Sequence, residues 1–369
     1  MVLCAHGNIL AGVTEAQASG ALSSRLAEDL SSGIHLFFAL SGYLIAGPFI
    51  RALLQGRPLP SLREYLVRRG ARILPAYWIA LTAIIVLSHP RGLGWWQLLG
   101  HYLLIHNELP GQATAIYFVA WTLGIEVAFY LFVPIAAVVI SRAVGGRSVS
   151  PSGLALGIAG LWVSSVAWMF VSGMIMPTPG PWSGMLRVTL PAFIGQFCPG
   201  MLVALAVAQT ASDAPGLGWY RWLSRHSLVS LMITVAFAGT AAVAATSSSS
   251  SLADSRIALY AVASGAALLT VIHGPAFIDR IARVLAPIGL ISYGIYLWHW
   301  VVVAALNSRH LSPATGVGVG ALLVDIAVVV AITFPIAAAS WLLVEQPLIN
   351  AAQHWMRRRR QLAPATAAV

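Results

Sequence analysis

The sequence predicts an all-α polytopic membrane protein, a bundle of about ten transmembrane helices whose first member is truncated at its N-terminus. Three observations lead there. The 369 residues are 59% apolar and only 9% charged, far from the roughly 25% charged content of a soluble domain, and the mean hydropathy is +0.82. The apolar residues are gathered into long runs, many near the roughly 20 residues that cross a bilayer as a helix. The positive charge is carried by arginine alone, with no lysine in the chain, and it is spread unevenly among the loops. A net charge of +10 placed in this way speaks for membrane topology and against nucleic-acid binding.

Met1 to Val13 is apolar but too short to cross, and it is expected to be the end of a first span that starts upstream. A signal peptide cleaved after Ala18 is the rival reading, but it would lack a basic n-region. Nine further runs follow, near 32–53, 73–88, 115–140, 153–174, 188–209, 227–245, 256–273, 286–306 and 318–344. Alternating the loops gathers Arg51, Arg57, Arg63, Arg68, Arg69, Arg72, Arg142, Arg147, Arg221, Arg225, Arg280, Arg283 and Arg357 to Arg360 on one side. Arg25, Arg91, Arg187, Arg256 and Arg309 fall on the other. The positive-inside rule makes the first side cytoplasmic, together with the C-terminus, and leaves the polar segment Thr14 to Ser31 outside.

Several stretches between spans carry no chemistry, among them Ser141 to Pro151 and Asp213 to Gly218. The external loop His89 to Gly111 holds Trp95, Trp96, His101, Tyr102 and His106, a content that suits an interfacial or re-entrant helix or an aromatic belt. Residues 1–349 read as one transmembrane domain and 350–369 as a basic cytoplasmic tail, a topological and lipid-contacting end. Cys4 and Cys198 match no metal spacing and read as small core residues. His101 and His106 lack a third ligand, so no metal is expected.

Ionisable groups inside spans are costly and are therefore candidates for function. Glu126 lies in a helix that also offers Trp121, Phe129 and Tyr130 as an aromatic shelf. His6 lies in the truncated first span, where an imidazole suits general-base work. His299 stands among Tyr293, Tyr296, Trp298 and Trp300. Asp325 and Glu345 share the last span, with Glu345 at its cytoplasmic end within reach of the inner arginines. His35 and Ser41 sit in a segment whose small residues allow close helix approach. Arg68, Arg69 and Arg72 precede an apolar run, and Arg68 and Arg72 share a face if the helix begins early. Such guanidinium forks fix topology or touch anionic headgroups, and they also suit phosphate and pyrophosphate. No Gly-rich phosphate loop or Gly-x-Ser-x-Gly elbow occurs, so nucleotide hydrolysis and serine hydrolase chemistry have no support. A transporter would also use buried Glu, Asp and His, although paired halves are not detectable.

Five stretches, in this order, resemble the acyltransferase 3 family of integral membrane acyltransferases. They are Gly33-Ile-His-Leu-Phe-Phe-Ala-Leu-Ser-Gly-Tyr-Leu-Ile45, Arg68-Arg-Gly-Ala-Arg-Ile-Leu-Pro-Ala-Tyr-Trp78, Trp121-Thr-Leu-Gly-Ile-Glu126 with Phe129-Tyr130, Ser292-Tyr-Gly-Ile-Tyr-Leu-Trp-His299, and Val344-Glu-Gln-Pro347. The resemblance implies a ten-helix bundle in a cell membrane that holds no permanent cofactor. It implies transfer of an acyl group, often acetyl, from cytoplasmic acyl-CoA to a hydroxyl of a carbohydrate or glycosylated acceptor. On that pattern His6 is the essential first-helix histidine and general base, and Glu126 is the acid after the Trp-Thr-Leu triplet. Arg69 and Arg72, with Arg68 beside them, form the arginine motif for the CoA phosphates. Trp121, Tyr77, His299, Glu345 and His35 are expected to support substrate or structure. Two positions depart from the pattern. The family's arginine eleven residues before the histidine falls before Met1, and His35 stands where an acid is common. An inactive scaffold of the same family is the further alternative.

Overall fold

The computed structural model describes residues 33–176, 178, 180–210, 222–223, 225–245, 250–274, 276–309 and 319–362. His6, Cys4, the segment Thr14 to Ser31 and the connector Asp213 to Gly218 lie outside the described residues. Among the described residues there are helices and no strand. They are α1 (Gly33–Gln55), α2 (Leu62–Ser88), α3 (Trp95–Tyr102), a 3-10 turn (His106–Glu108), α4 (Ala120–Ala143), α5 (Pro151–Ile175), α6 (Pro181–Arg187) and α7 (Leu190–Thr210). After these come α8 (Ser227–Ala245), α9 (Ser250–His273), α10 (Ala276–Ser308), α11 (Val319–Ser340), a π turn (Trp341–Glu345) and α12 (Gln346–Leu362). Among the described residues seven helices are long and apolar enough to cross a membrane, and shorter apolar stretches lie at Val229–Thr240 in α8 and Ala258–His273 in α9. Together these account for the nine apolar runs, because a helix satisfies its own backbone in a solvent that offers no hydrogen bonds.

Helix ends depart from the run boundaries where caps decide them. α2 begins at Leu62, ahead of its apolar run, because Ser61 accepts a hydrogen bond from the Glu64 N–H at 3.5 Å and Glu64 places negative charge in the first turn. The three arginines therefore ride on the helix ahead of its apolar run, the early start on which a shared face for Arg68 and Arg72 depends. The Ser150 hydroxyl caps α5 through the Gly153 N–H at 3.1 Å, with Pro151 at the first helical position.

The chain forms two compact units. In the described residues the first comprises 33–59 and 92–285 and the second 60–91 and 286–362. In the first unit, α7 packs on α1, α5, α9 and α4, while α8 pairs with α9. Apolar side chains gain little by leaving lipid, so helix pairs depend on close backbone approach and dispersion. α1 and α7 meet that condition: a Cβ on Gly200 would overlap the Ala39 carbonyl, and one on Gly42 would overlap that of Phe197. Beside this contact Phe129 and Phe197 stack with centroids 3.9 Å apart at 18°, and Phe38 lies 4.9 Å from Phe197. In the second unit, α12 packs on α2 and the π turn, and α2 also touches the π turn. The Tyr293 hydroxyl donates to the Ile73 carbonyl at 2.8 Å, tying α10 to α2.

The Gly200 contact yields a stability prediction. Gly200→Ala should lower the thermal midpoint of the detergent-purified protein, because overpacking of this kind costs about 1–3 kcal/mol. Gly157→Ala, at a position with nothing within 4 Å of the added carbon, should leave it unchanged or raise it. Equal midpoints for the two variants would show that α1 and α7 are not in backbone contact.

Candidate functional site

A carboxyl group inside a membrane helix needs donors, and Glu126, in the second turn of α4, has them. It is 5% exposed. The Ser41 hydroxyl on α1 donates to Oε1 at 3.0 Å, and the Tyr130 hydroxyl, one turn further along α4, donates to the same oxygen at 2.5 Å. Residues four apart share a helix face, which explains Tyr130; Ser41 arrives because α1 packs against α4. The expected aromatic shelf is present around them, with Phe129 stacked on Phe197 and Trp121 at 5.2 Å from Phe193. The start of α4 is held by Asn107, whose amide donates to the Trp121 carbonyl at 2.6 Å in space that a Cβ on Gly124 would invade. His35 is held on α1 by Gln196, with Nδ1 2.9 Å from Oε1, and its ring stacks on Tyr260 at 5.1 Å and 9°.

The loop ahead of α4 folds as α3 and the 3-10 turn. Trp95 and Trp96 stay exposed, as an aromatic belt requires, whereas His101 and His106 are wholly buried and stack at 4.5 Å and 16°. Burial pushes the His101 imidazole down to about 4. Burial, with the charge of neighbouring His101, pushes His106 down to about 3. Both rings are therefore neutral at pH 7. Among the described residues no group of three or more His, Cys, Asp and Glu side chains is placed to hold a metal ion.

The second unit carries the other candidates. Arg68 and Arg72 are exposed on α2 and Arg69 is partly covered. Arg68 reaches Glu64 at 3.5 Å, and the Arg69 guanidinium lies 5.9 Å from the centre of the Tyr65 ring. Tyr77 is fully buried in the same helix and reads as support. His299 is fully buried too, with Nδ1 3.1 Å from the Ile295 carbonyl, which fits a packed side chain with a polar handle.

Glu345 is 1% exposed and accepts from Ser340 Oγ at 3.0 Å, with Arg72 supplying nearby positive charge. Its direct partner is thus a serine and not the arginine expected from the sequence. That bond depends on the π turn. Residues five apart in an α-helix point about 140° apart, whereas the wider turn brings them onto one face. Gln346 N–H reaches back to the Trp341 carbonyl, and Pro347 has no N–H to restore the α pattern.

The structure therefore joins Glu126 and Trp121 to the α1–α4–α7 contact, which also seats His35. Arg68, Arg69, Arg72, Tyr77, Glu345 and His299 belong to the second unit. Sequence reading missed Gln196 as the partner of His35, Ser340 as the partner of Glu345 and the bond between Ser41 and Glu126. A glutamine in the interior of the apolar run 188–209, whose second glutamine, Gln209, closes the run, was the signal available for the first.

Ser41→Ala and Tyr130→Phe should each lower stability by about 1–3 kcal/mol, the cost of leaving a buried acceptor short of a donor, read as a lower thermal midpoint. An unchanged midpoint in both would mean that neither hydroxyl holds Glu126. The stacked histidines predict a pH dependence. Each ring binds its proton less tightly when folded than at its ordinary value of 6.5, so the unfolded chain takes up more protons as pH falls through 6.5 towards 4. Stability is lost across that window. The midpoint should fall from pH 7 to pH 4, and the fall should be shallower in the double variant His101→Gln, His106→Gln.

The model of the acyltransferase domain of the acyltransferase 3 family matches residues 1–345. Nodulation protein 10 of Rhizobium leguminosarum bv. viciae is 26% identical over 354 residues, covering 90% of this chain and 85% of that protein. Peptidoglycan O-acetyltransferase OatA of Listeria monocytogenes is 24% identical over 345 residues, covering 86% of this chain and 51% of that protein. No solved structure matches the chain. With the five motifs in order along a helical membrane scaffold, the chain belongs to the acyltransferase 3 family and is a multi-pass membrane acyltransferase that transfers groups other than aminoacyl groups.

Proposed function

We propose that this acyltransferase takes an acyl group, in the first instance acetyl, from cytoplasmic acyl-CoA and delivers it to a hydroxyl of a carbohydrate or glycosylated acceptor. The observation that carries the donor is the arginine face of α2. Arg68 and Arg72 stand exposed on a helix that starts early enough to hold both, with Arg69 beside them. Guanidinium forks pair with phosphate oxygens, and CoA brings a pyrophosphate and a ribose phosphate. The acceptor class draws support from the relative named as a peptidoglycan O-acetyltransferase. The proposed setting is the cell membrane with α12 on the cytoplasmic side, as the positive-inside rule requires.

In this reading the imidazole of His6 takes the proton of the acceptor hydroxyl as its oxygen attacks the thioester carbonyl. The carbon–sulfur bond breaks, the new ester forms, and the CoA thiolate leaves with the proton returned by His6. Arg72, or Glu126 with its two hydroxyl donors, organises the site. The test is thioester loss from acetyl-CoA in membranes holding the protein. His6→Ala should reduce turnover by about 100-fold or more, and Arg69→Ala with Arg72→Ala should raise KM for the donor. Turnover indifferent to His6→Ala would overturn the base assignment.

A further inference from the structure

Read as sequence, the arginines after residue 350 are a topological tail. The structure instead folds α12 onto the first half of α2 within the second unit. Four guanidinium groups from helices nearly 300 residues apart gather there around one carboxylate and one indole. Arg360 grips Glu64 in two-pronged fashion, Nε to Oε1 at 2.9 Å and Nη2 to Oε2, and Arg68 Nη1 adds a contact to Oε2 at 3.5 Å. Arg63 and Arg359 lie over the Trp355 ring at 5.0 Å and 4.9 Å. Met356, 6% exposed, seats the helix with Sδ 3.8 Å from Arg68 Nη1.

We infer that α12 is the second wall of the donor's phosphate site, and that Glu64 is an internal counter-ion which the CoA phosphates displace. The inference rests on the acyl-CoA reading above and adds Arg359, Arg360 and Glu64 to it. Charge makes the case. Both ion pairs found among the described residues fall on Glu64, so one negative charge stands in a cluster of four positive ones, of which Arg68 and Arg360 touch it and Arg63 and Arg359 lie over the neighbouring Trp355. The surplus is open to ligand, since the side chains of Arg360 and Arg68 are 67% and 46% exposed. A bidentate carboxylate occupies guanidinium donors just as a phosphate oxygen pair does, so Glu64 holds these donors in place while the site is empty. Arg68 belongs to both groups: it is one helical turn from Arg72 and shares Glu64 with Arg360. That continuity favours CoA over a lipid headgroup, because the cluster extends the same arginine face by which α2 would hold the donor.

The experiment is CoA binding to the full chain in nanodiscs of neutral phosphatidylcholine, measured by calorimetry with CoA and 3′-dephospho-CoA as probes. Glu64→Gln keeps the shape and removes the competing charge, and it should tighten CoA binding severalfold. Arg359→Ala with Arg360→Ala should weaken CoA binding on the order of tenfold, the scale of a lost charge-assisted hydrogen bond at an open site. The loss should be smaller for dephospho-CoA. Size-exclusion profiles establish that the variants are folded. If the wild-type protein binds CoA and neither change alters it, α12 is no part of the site while the acyl-CoA reading stands. Co-purified lipid is measured in parallel: if the arginine variant keeps CoA binding and loses only bound phosphatidylglycerol, the helix is a headgroup contact and the inference falls. If the folded wild-type protein binds no CoA, the donor reading itself fails and this inference goes with it.

Discussion

The first unit turns on a contact with no room in it. Where α1 crosses α7, two glycines each face the other helix's backbone, and even a methyl group at Gly200 would overlap a carbonyl. In lipid this matters more than it would in water, because helices there are drawn together by fit and not by escape from solvent. The same contact explains the polar pairs around it. Ser41 precedes Gly42 and Gln196 precedes Phe197, so the approach that removes space between backbones carries one side chain to Glu126 and the other to His35.

How much of this was legible in the sequence depends on the range of the interaction. The nine apolar runs could be read because a spanning backbone must bond to itself, and hydropathy alone reports that demand. In the sequence a shared face for Arg68 and Arg72 hangs on where their helix begins, and the Ser61 cap with Glu64 in the first turn decides it by placing Arg68, Arg69 and Arg72 on one helix. Glu126 could be singled out because a carboxyl group in an apolar run is conspicuous. Its Ser41 partner lies 85 positions away and the partner of His35 lies 161 away. No local period encodes such pairs. Helices that are apolar all round give little sign of which face meets a neighbour, so packing partners had to come from the fold. His6 was conspicuous for the same reason, and its identification as the essential first-helix histidine rests on the family resemblance.

The loop between α2 and α4 illustrates a different limit. Its tryptophans announce an interface, and they remain outside as their chemistry suggests. Its histidines, which sequence could treat only as a poor metal pair, turn out to be packed as neutral rings whose cost of charging is set by burial. Composition was the same evidence for both residue types, and only the fold separates them.

The π turn before α12 acts as a phase shifter. A five-residue turn spends one residue more than an α turn for nearly the same angular advance, and one residue corresponds to about 100° on the helical wheel. Each side chain of α12 therefore points about a third of a revolution away from where an unbroken α11 would have aimed it. The Arg360 and Trp355 that meet α2 owe their heading to residues 341–345. A deletion of one residue there would leave the composition and charge of α12 intact and yet turn its working face elsewhere, so the spacing between Ser340 and Pro347 is a specification as strict as any side chain in the motif.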